Sequence, residues 1–125
     1  MKKKPNNFKQ QLGAWGERQA EAYLIDHGLE LLERNFRTAY GEIDLVMMQG
    51  DQLVFVEVKT RSNDAFGLPE ESVTERKKEH LLQAAQQYLE DHPDPQLDWR
   101  IDVVSIRKKA GSDPLEIIWF ENALA

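Results

Sequence analysis

Three carboxylates and one ammonium group lie in the two segments of this chain that are richest in strand-forming residues. Glu42 and Asp44 fall in GEIDLVMM, and Glu57 and Lys59 fall in LVFVEVKTR. Oxygen ligands of this kind favour Mg²⁺ or Mn²⁺ over Zn²⁺. A divalent cation beside a lysine polarises a phosphoryl oxygen and generates hydroxide, while the ammonium stabilises developing charge. These residue types therefore suit the hydrolysis of phosphodiesters.

A tight turn between the two segments predicts their register. Gly50-Asp51 suits a two-residue hairpin loop, with Gly at the first position of a type II′ turn, and this loop pairs Gln49 with Gln52. Counting outward places Asp44 opposite Glu57. Directly opposed residues have Cβ atoms about 4.5–5.5 Å apart, and like charges there are destabilising. A divalent cation would offset that cost.

The same register places Glu42 opposite Lys59. Because side chains alternate along a strand, Ile43 and Leu45 are expected together on the face opposite Glu42 and Asp44. A second interpretation fits these residues equally well. Glu42 and Lys59 form a cross-strand ion pair, and the other two carboxylates are solvated on an exposed face. Spacing alone does not decide between a cation site and an ion pair.

The hydrophobic pattern predicts an α/β domain with one mixed sheet. A first helix is expected to follow a cap at Asn6 or Asn7 and to end at Gly28, with a close approach at its internal glycines. Its apolar residues recur near the 3.6-residue period, at Phe8, Leu12, Trp15, Ala22 and Ile25. Strands are expected at 29–38, 42–48 and 53–60.

A loop at 61–72 should separate these strands from a second helix, which is predicted to start near Ser72 or Thr74 and to end near Asp91. Its buried stripe would be Val73, Leu81, Ala84, Ala85, Tyr88 and Leu89. Two further strands, 99–108 and 115–122, flank the turn KAGSDP. The 125 residues thus predict a single domain spanning 1–125, with residues 1–7 as a flexible basic tail.

Composition narrows the compartment and the partners. The chain has no Cys, which excludes a disulfide framework and a Cys nucleophile, and no apolar run is long enough to span a bilayer. We therefore expect a cytoplasmic protein without a membrane partner. The net charge of −6 argues against a nucleic-acid binder, but residues 1–61 hold nine basic and nine acidic side chains. If three of these acidic side chains bound a metal ion, residues 1–61 would present a net basic surface.

The spacing of Asp44 and Glu57-Val58-Lys59 resembles the PD-(D/E)XK nuclease motif, with Ile43 in place of the motif's proline. The longer words WGERQAEAYL, GLELLERNFRT, GEIDLV, VFVEVKTR and AFGLPEESVTERKKEHLLQAAQQYL resemble a small bacterial family of uncharacterised YraN-like proteins. That family is similar to archaeal Holliday-junction resolvases. The resemblance implies a restriction-endonuclease-like domain of three layers, with a central mixed β-sheet flanked by helices.

The resemblance also implies roles for individual residues. Asp44, Glu57 and the backbone carbonyl of Val58 would hold Mg²⁺ or Mn²⁺. Lys59 would position or activate the attacking water. Glu17, in GERQAEAYL, matches the acidic residue that such nucleases supply from the first helix.

Further residues are candidates for contact with nucleic acid. Thr60 and Arg61 continue the strand beyond Lys59, and hydroxyl and guanidinium groups commonly contact phosphates. Arg34, Arg37 and the run Arg76-Lys77-Lys78 would extend such a surface, and Lys77 is favoured because it shares a helix face with Leu81 and Ala84. Tyr40 would either stack on a base or cover an edge of the sheet. Asp102 is expected to be buried and paired for structural reasons.

The sequence therefore predicts a metal-dependent endonuclease that hydrolyses DNA, branched or single-stranded. The alternatives are a nucleic-acid-binding module with little or no activity, and a protein-binding adaptor whose acidic second half contacts another protein. Junction resolvases act as dimers because their substrate has two-fold symmetry. A homodimer is therefore expected only if the substrate is such a junction.

Overall fold

A computed structural model describes residues 8–61, 74–94, 97–108 and 115–124 of this chain. The elements follow in the order α1 (Phe8–Asp26), β1 (Glu30–Thr38), β2 (Gly41–Gln49), β3 (Gln52–Arg61), α2 (Glu75–Asp91), β4 (Asp98–Arg107) and β5 (Glu116–Phe120). The predicted order is confirmed. The predicted basic tail, Val73 and nearly all of the 61–72 loop lie outside the described residues, as does the turn that begins at Lys109.

All five strands form one sheet in the order β1-β2-β3-β4-β5. The pairings β1–β2, β2–β3 and β4–β5 are antiparallel, whereas β3 and β4 are parallel. Parallel neighbours need a crossover connection, and the chain between β3 and β4 contains α2. The predicted mixed sheet is confirmed.

The helices cover opposite faces of the sheet and give the domain three layers. Along β3, Val54 and Val56 pack into a cluster with Ala20 and Leu24 of α1. Leu53 and Phe55 pack into a second cluster with residues of α2. We call these the α1 face and the α2 face. Their alternation along β3 is the period of two expected of a strand buried on both sides.

The buried stripe of α1 differs from the predicted one. Ala20 and Leu24 are fully buried, whereas Ala22 is exposed and Ile25 is 47% exposed, so the predicted places of these last two in the apolar stripe were wrong. The helix approaches the sheet most closely at Gly16, where an added Cβ would lie 2.8 Å from Thr60 Cγ2 and closer still to Oγ1. A Cβ at Gly13 would meet no other atom within 4 Å. The predicted close approach is thus confirmed at one glycine of the two, against the sheet.

The start of α2 is fixed by Thr74, whose hydroxyl accepts a hydrogen bond from the backbone N–H of Lys77 at 3.2 Å. The helix then buries Leu81, Ala84, Ala85 and Tyr88 against the sheet, as the 3.6-residue period predicts. Leu89 is partly buried in the same cluster. No described helix is both long and apolar enough to cross a membrane.

The β2–β3 hairpin turns at Gly50-Asp51, and Gln49 pairs with Gln52 as predicted. Gly50 has φ 62°, a conformation that suits the first position of a type II′ turn. The pairing ends at Leu45 and Val56, however. In this fully described segment the next residues outward, Asp44 and Glu57, do not pair, nor do Glu42 and Lys59. The predicted cross-strand pairs were therefore wrong, because the two strands separate where the charged residues begin.

A second irregularity lies on the other side of β2. Arg34 pairs with Leu45 and Phe36 pairs with Ile43, but Asn35 between them has φ 50° and no partner in the ladder. Leu45 packs on the α1 face, whereas Phe36 and Ile43 pack on the α2 face. The ribbon changes face at Asn35. The prediction that Ile43 and Leu45 share a face was wrong for this reason.

Asp102 is fully buried and connects β4 with β5 and the residues that follow it through hydrogen bonds. Its carboxylate accepts hydrogen bonds from Arg100 at 2.9 and 3.0 Å, from the indole N–H of Trp119 at 2.9 Å and from the backbone N–H of Asn122 at 2.8 Å. The same guanidinium also donates to Gln49 and Gln52 beside the hairpin turn. The predicted structural role of Asp102 is confirmed.

Candidate active site

The strands β2 and β3 separate beyond Leu45 and Val56, and we call the gap between them the fork. The side chain of Asp44 lies in this fork. Its Oδ2 accepts a hydrogen bond at 2.8 Å from the backbone N–H of Val58. That donor lies just beyond Val56, the last residue of β3 that pairs with β2. A backbone N–H that would otherwise lack a strand partner therefore fixes the carboxylate at the branch point.

The position of Asp44 disfavours its charged form. Burial is the largest cause, followed by the nearby carboxylate of Glu57, and together they raise the pKa of Asp44 to about 8. Glu17 and Glu42 act in the same direction, while the hydrogen bond from Val58 opposes them. Three acidic neighbours make the electrostatic potential at this carboxyl group negative, and a bound cation would offset that negative potential.

Glu57 occupies the α2 face of β3 and is itself buried, with 6% of its surface exposed. Its Oε2 lies 3.1 Å from Lys59 Nζ on the same strand and 3.5 Å from Lys77 Nζ on α2. The helix therefore brings a second ammonium group to a carboxylate that already has one. The side chain of Lys59 is 18% exposed, so solvent can still reach it.

The two lysines differ in their protonation chemistry. Burial lowers the pKa of Lys59, and the adjoining Lys77 lowers it further, against the opposing effect of Glu57. Burial also acts to lower the pKa of Lys77, but its contacts with Lys59 and Glu57 outweigh burial, and its pKa is raised. Lys59 is thus the lysine that gives up its proton more readily, which suits a residue that exchanges protons with water.

Glu17 reaches the same region from α1. Its Oε1 accepts a hydrogen bond from the side-chain amide of Asn35 at 3.1 Å, and its charge contributes to the raised pKa of Asp44. Glu17 also lines a second cavity with Asn35 and Leu45, and its predicted role at the site stays a prediction. Glu42 lies on the other side, where its Oε2 is 3.8 Å from the Nε of the exposed Arg37.

A cavity of about 470 Å³ opens on this cluster. Its walls include three carboxylates from β2 and β3, namely Glu42, Asp44 and Glu57. The first turns of α2 contribute Arg76, Lys77 and His80, and the β1–β2 connection contributes Tyr40, which is 46% exposed. The cavity thus combines acidic, basic and aromatic side chains.

The donor set at the fork suits a hard divalent cation. Asp44 and Glu57 offer carboxylate oxygens and Val58 offers a backbone carbonyl, and Mg²⁺ is commonly held by one or two carboxylates with water completing the shell. Across the described ranges, no three His, Cys, Asp or Glu side chains are grouped so as to hold a metal ion. The fork thus offers a cation two carboxylates and one backbone carbonyl, and water would have to complete the shell.

The residues predicted to contact nucleic acid are dispersed. Thr60 packs against Gly16 on the α1 face, away from the cavity. The backbone carbonyl of Arg61 accepts a hydrogen bond from the N–H of Lys108 at the end of β4. Arg37 and Tyr40 lie near the β1–β2 connection, and Lys77 is the member of the basic run that reaches Glu57. Arg34 is held by Glu21 through two hydrogen bonds of 2.7 and 2.8 Å.

Two residues near the site were absent from the sequence-based set. Asn35 was regarded as an ordinary strand residue, although Asn tolerates a left-handed conformation better than other side chains do. His80 is not part of any metal-like spacing among the three histidines of the sequence. Its place four residues after Arg76 and three after Lys77 was a usable signal, since such residues share a helix face.

The family model described as the uncharacterised protein family UPF0102 matches residues 16–106. This chain belongs to that family. UPF0102 proteins from Syntrophomonas wolfei and Beutenbergia cavernae are each 48% identical to it over 86% of its length, covering 94% and 92% of those relatives. The Janthinobacterium UPF0102 protein is 44% identical over 97% of this chain and 93% of its own. The family resemblance predicted from the motifs is confirmed.

Among solved structures, SfsA of Pyrococcus furiosus in complex with Ca²⁺ aligns with 90% of this chain and 63% of its own. The two share 14% sequence identity, and the TM-score is 0.37.

Proposed function

We propose that this UPF0102 protein is a divalent-cation-dependent nuclease that hydrolyses DNA phosphodiester bonds on a restriction-endonuclease-like fold of the PD-(D/E)XK kind. The observation that carries the proposal is the placement of Asp44. Its carboxylate is held on the N–H of Val58 at the branch of β2 and β3, beside the buried Glu57 and within the field of Glu17. The three-layer arrangement around a mixed sheet supports the same proposal.

Each residue of the cluster then has a chemical role. Asp44, Glu57 and the carbonyl of Val58 would hold Mg²⁺ or Mn²⁺, which supplies Lewis-acid polarisation of the phosphoryl oxygen and acidifies bound water. Glu17 adds negative charge from α1. The lowered pKa of Lys59 suits it to orient the attacking water and to exchange a proton with it. Lys77, with its raised pKa, remains cationic and stabilises charge on the phosphate.

DNA is the proposed substrate, at branched or single-stranded positions. Arg37 and Tyr40 lie near the cavity that contains the acidic cluster and would contact the strand that enters it. Arg61, at the end of β3, would contact a phosphate further along, whereas Thr60 packs against Gly16 and would support that end of the strand. The proposal includes a homodimer only for a junction substrate, whose two-fold symmetry two active sites would match.

A second candidate is a nucleic-acid-binding module that hydrolyses little or nothing. The observation in its favour is that Glu57 Oε2 already lies within 3.5 Å of two ammonium groups. Their charge competes with a cation for the same oxygen. The protein-binding adaptor predicted from the acidic second half gains no such specific support.

A cleavage assay separates these candidates. The protein is incubated with Mg²⁺ or Mn²⁺ and with duplex, single-stranded and four-way-junction DNA, alongside Glu57→Gln and Lys59→Gln. Lys78→Gln is the matched control, because Lys78 pairs with Glu75 and not with Glu57. The nuclease proposal expects cleavage by the wild type and the control only. Binding without cleavage in either metal supports the binding module, and cleavage that survives both site variants excludes this site.

A further inference from the structure

We propose that Asn35 is a positioning residue of the candidate site. Its left-handed backbone turns Asp44 into the fork between β2 and β3, and its side-chain amide holds Glu17 towards the same place. The backbone half of this inference is independent of the proposed nuclease activity, whereas the half that concerns Glu17 rests on it.

The backbone half follows from the pairing of β1 and β2. Arg34 pairs with Leu45 and Phe36 with Ile43, so Asn35 and Asp44 stand across from each other without forming a ladder pair. Asn35 has φ 50°, a region that strands do not use and that Asn tolerates because its short polar side chain reduces the steric cost.

The consequence of this conformation is visible in the side chains on either side. Arg34 reaches Glu21 of α1, while Phe36 stacks edge-on against Tyr88 of α2 with ring centroids 5.0 Å apart. Regular alternation would place residues 34 and 36 on the same face. The change of face therefore takes place at Asn35. Asp44 lies on β2 across from Asn35 of β1. Its side chain accepts the hydrogen bond from the backbone N–H of Val58.

The side-chain half follows from one hydrogen bond. Asn35 Nδ2 donates to Glu17 Oε1 at 3.1 Å, which ties α1 to the irregular position of β1. Glu17 and Asn35 line one cavity together with Leu45, the residue that follows Asp44 on β2. A single residue thus connects the conformation of the strand with the placement of two acidic groups.

The backbone half is tested without metal, by hydrogen exchange of the Val58 amide in EDTA. Asn35→Gly keeps the left-handed conformation but loses the amide, whereas Asn35→Ala disfavours the conformation and loses the amide as well. We expect Val58 to keep its protection in the glycine variant and to lose it in the alanine variant, relative to the ladder amide of Val46. Equal protection in both variants would overturn this half.

The matched control is Asn122, the second described non-glycine residue with positive φ, at 52°. It lies in the Asp102 network, away from the fork. Asn122→Ala should lower the midpoint of urea unfolding and leave the Val58 amide unchanged. If Asn122→Ala and Asn35→Ala changed Val58 alike, the effect would be a general loss of stability, and the inference would be wrong.

The half that concerns Glu17 is read from Mn²⁺ affinity and from kcat at saturating Mn²⁺. Residues that orient metal-site groups typically change affinity or activity by about 10–100-fold, and we expect about tenfold for Asn35→Ala. Asn35→Gly acts on this half only through Glu17, so adding it to Glu17→Ala should give a double variant no worse than Glu17→Ala alone. Additive effects or wild-type values would overturn this half. A wild type that binds no Mn²⁺ and cleaves no DNA would refute the proposed function and this half, while the Val58 amide still decides the backbone half.

Discussion

The carboxylate of Asp44 binds the backbone N–H of Val58 at 2.8 Å, at the point where β2 and β3 cease to pair. A side chain thereby satisfies a main-chain donor and is itself held rigidly at the branch of the sheet. Burial at this position is the main cause of the raised pKa of Asp44, and the nearby Glu57 adds to it. One hydrogen bond thus fixes the position of Asp44, whereas its surroundings set its pKa.

Asp44→Asn should change how stability depends on pH in cation-free buffer. The pKa of Asp44 is about 8 in the folded protein, against an ordinary value of 3.8. Between these values the folded state binds the extra proton, so the contribution of Asp44 to stability is complete below pH 3.8 and is lost as the pH rises through 8. The variant lacks this loss, yet its amide oxygen still accepts from Val58. Relative to the wild type it should become progressively more stable from pH 4 to pH 8.

The measurement is urea unfolding in EDTA at a series of pH values, with the difference between variant and wild type as the readout. Asp51→Asn is the control, since it makes the same substitution at the exposed hairpin turn. A constant difference between Asp44→Asn and the wild type across this range would contradict the raised pKa.

Lys77→Gln and Lys78→Gln remove equal charge from adjacent positions of α2. Lys77 Nζ lies 3.5 Å from Glu57, whereas Lys78 Nζ lies 3.3 Å from Glu75. If Lys77 stabilises phosphate charge in the reaction, its loss should lower kcat by about 10²-fold or more, as removal of one electrostatic donor typically does. Lys78→Gln should stay within about threefold of the wild type. Equal kcat values for the two variants would remove Lys77 from the site.

Two glycines of α1 predict opposite responses to the same substitution. Gly13→Ala should stabilise the protein by about 0.5–1 kcal/mol, because alanine favours a helix and its Cβ meets open space. Gly16→Ala should destabilise it by about 1–3 kcal/mol, because the new Cβ collides with the short, branched side chain of Thr60. Urea unfolding of both variants measures the difference. A stabilising Gly16→Ala would mean that α1 is not seated on β3.

The buried Asp102 network predicts a large loss of stability when its acceptor is removed. Asp102→Ala removes the buried acceptor shared by Arg100, Trp119 and the backbone N–H of Asn122, and it should cost about 3–5 kcal/mol. Asp98→Ala, at the exposed start of β4, should change stability by less than about 0.5 kcal/mol. Thermal or urea unfolding compares the two variants. Similar small losses of stability in the two variants would show that the Asp102 network does not stabilise the fold.

Much of the fold could be predicted because local chemistry and burial agree along most of the chain. Gly50 supplied the hairpin turn, Thr74 supplied the helix cap, and the 3.6-residue period located the buried face of α2. On α1 the same period misplaced Ile25. Small residues there allow the close approach to the sheet, so Gly16 and Ala20 mark the buried stripe better than the large apolar residues do.

The geometry around the predicted site residues could not be predicted from the sequence. A regular hairpin would place Asp44 across from Glu57, and this was wrong because β2 and β3 stop pairing at Leu45 and Val56. The side chains of β1 change face at the left-handed residue Asn35. The spacing of residues in the sequence does not indicate such a change. The contact of Lys77 with Glu57 required knowledge of how α2 lies on the sheet.

Calorimetric titration with Mn²⁺ tests whether Asp44 and Glu57 form a divalent-cation site. Binding must displace the proton that Asp44 carries below pH 8, so heats measured in buffers of different ionisation enthalpy give the number of protons released. We expect one Mn²⁺ per chain, with about one proton released at pH 6.5 and almost none at pH 9. Glu57→Gln should abolish the binding. Mn²⁺ binding that persists in Glu57→Gln, or no binding to the wild type at either pH, would contradict a cation site at Asp44 and Glu57.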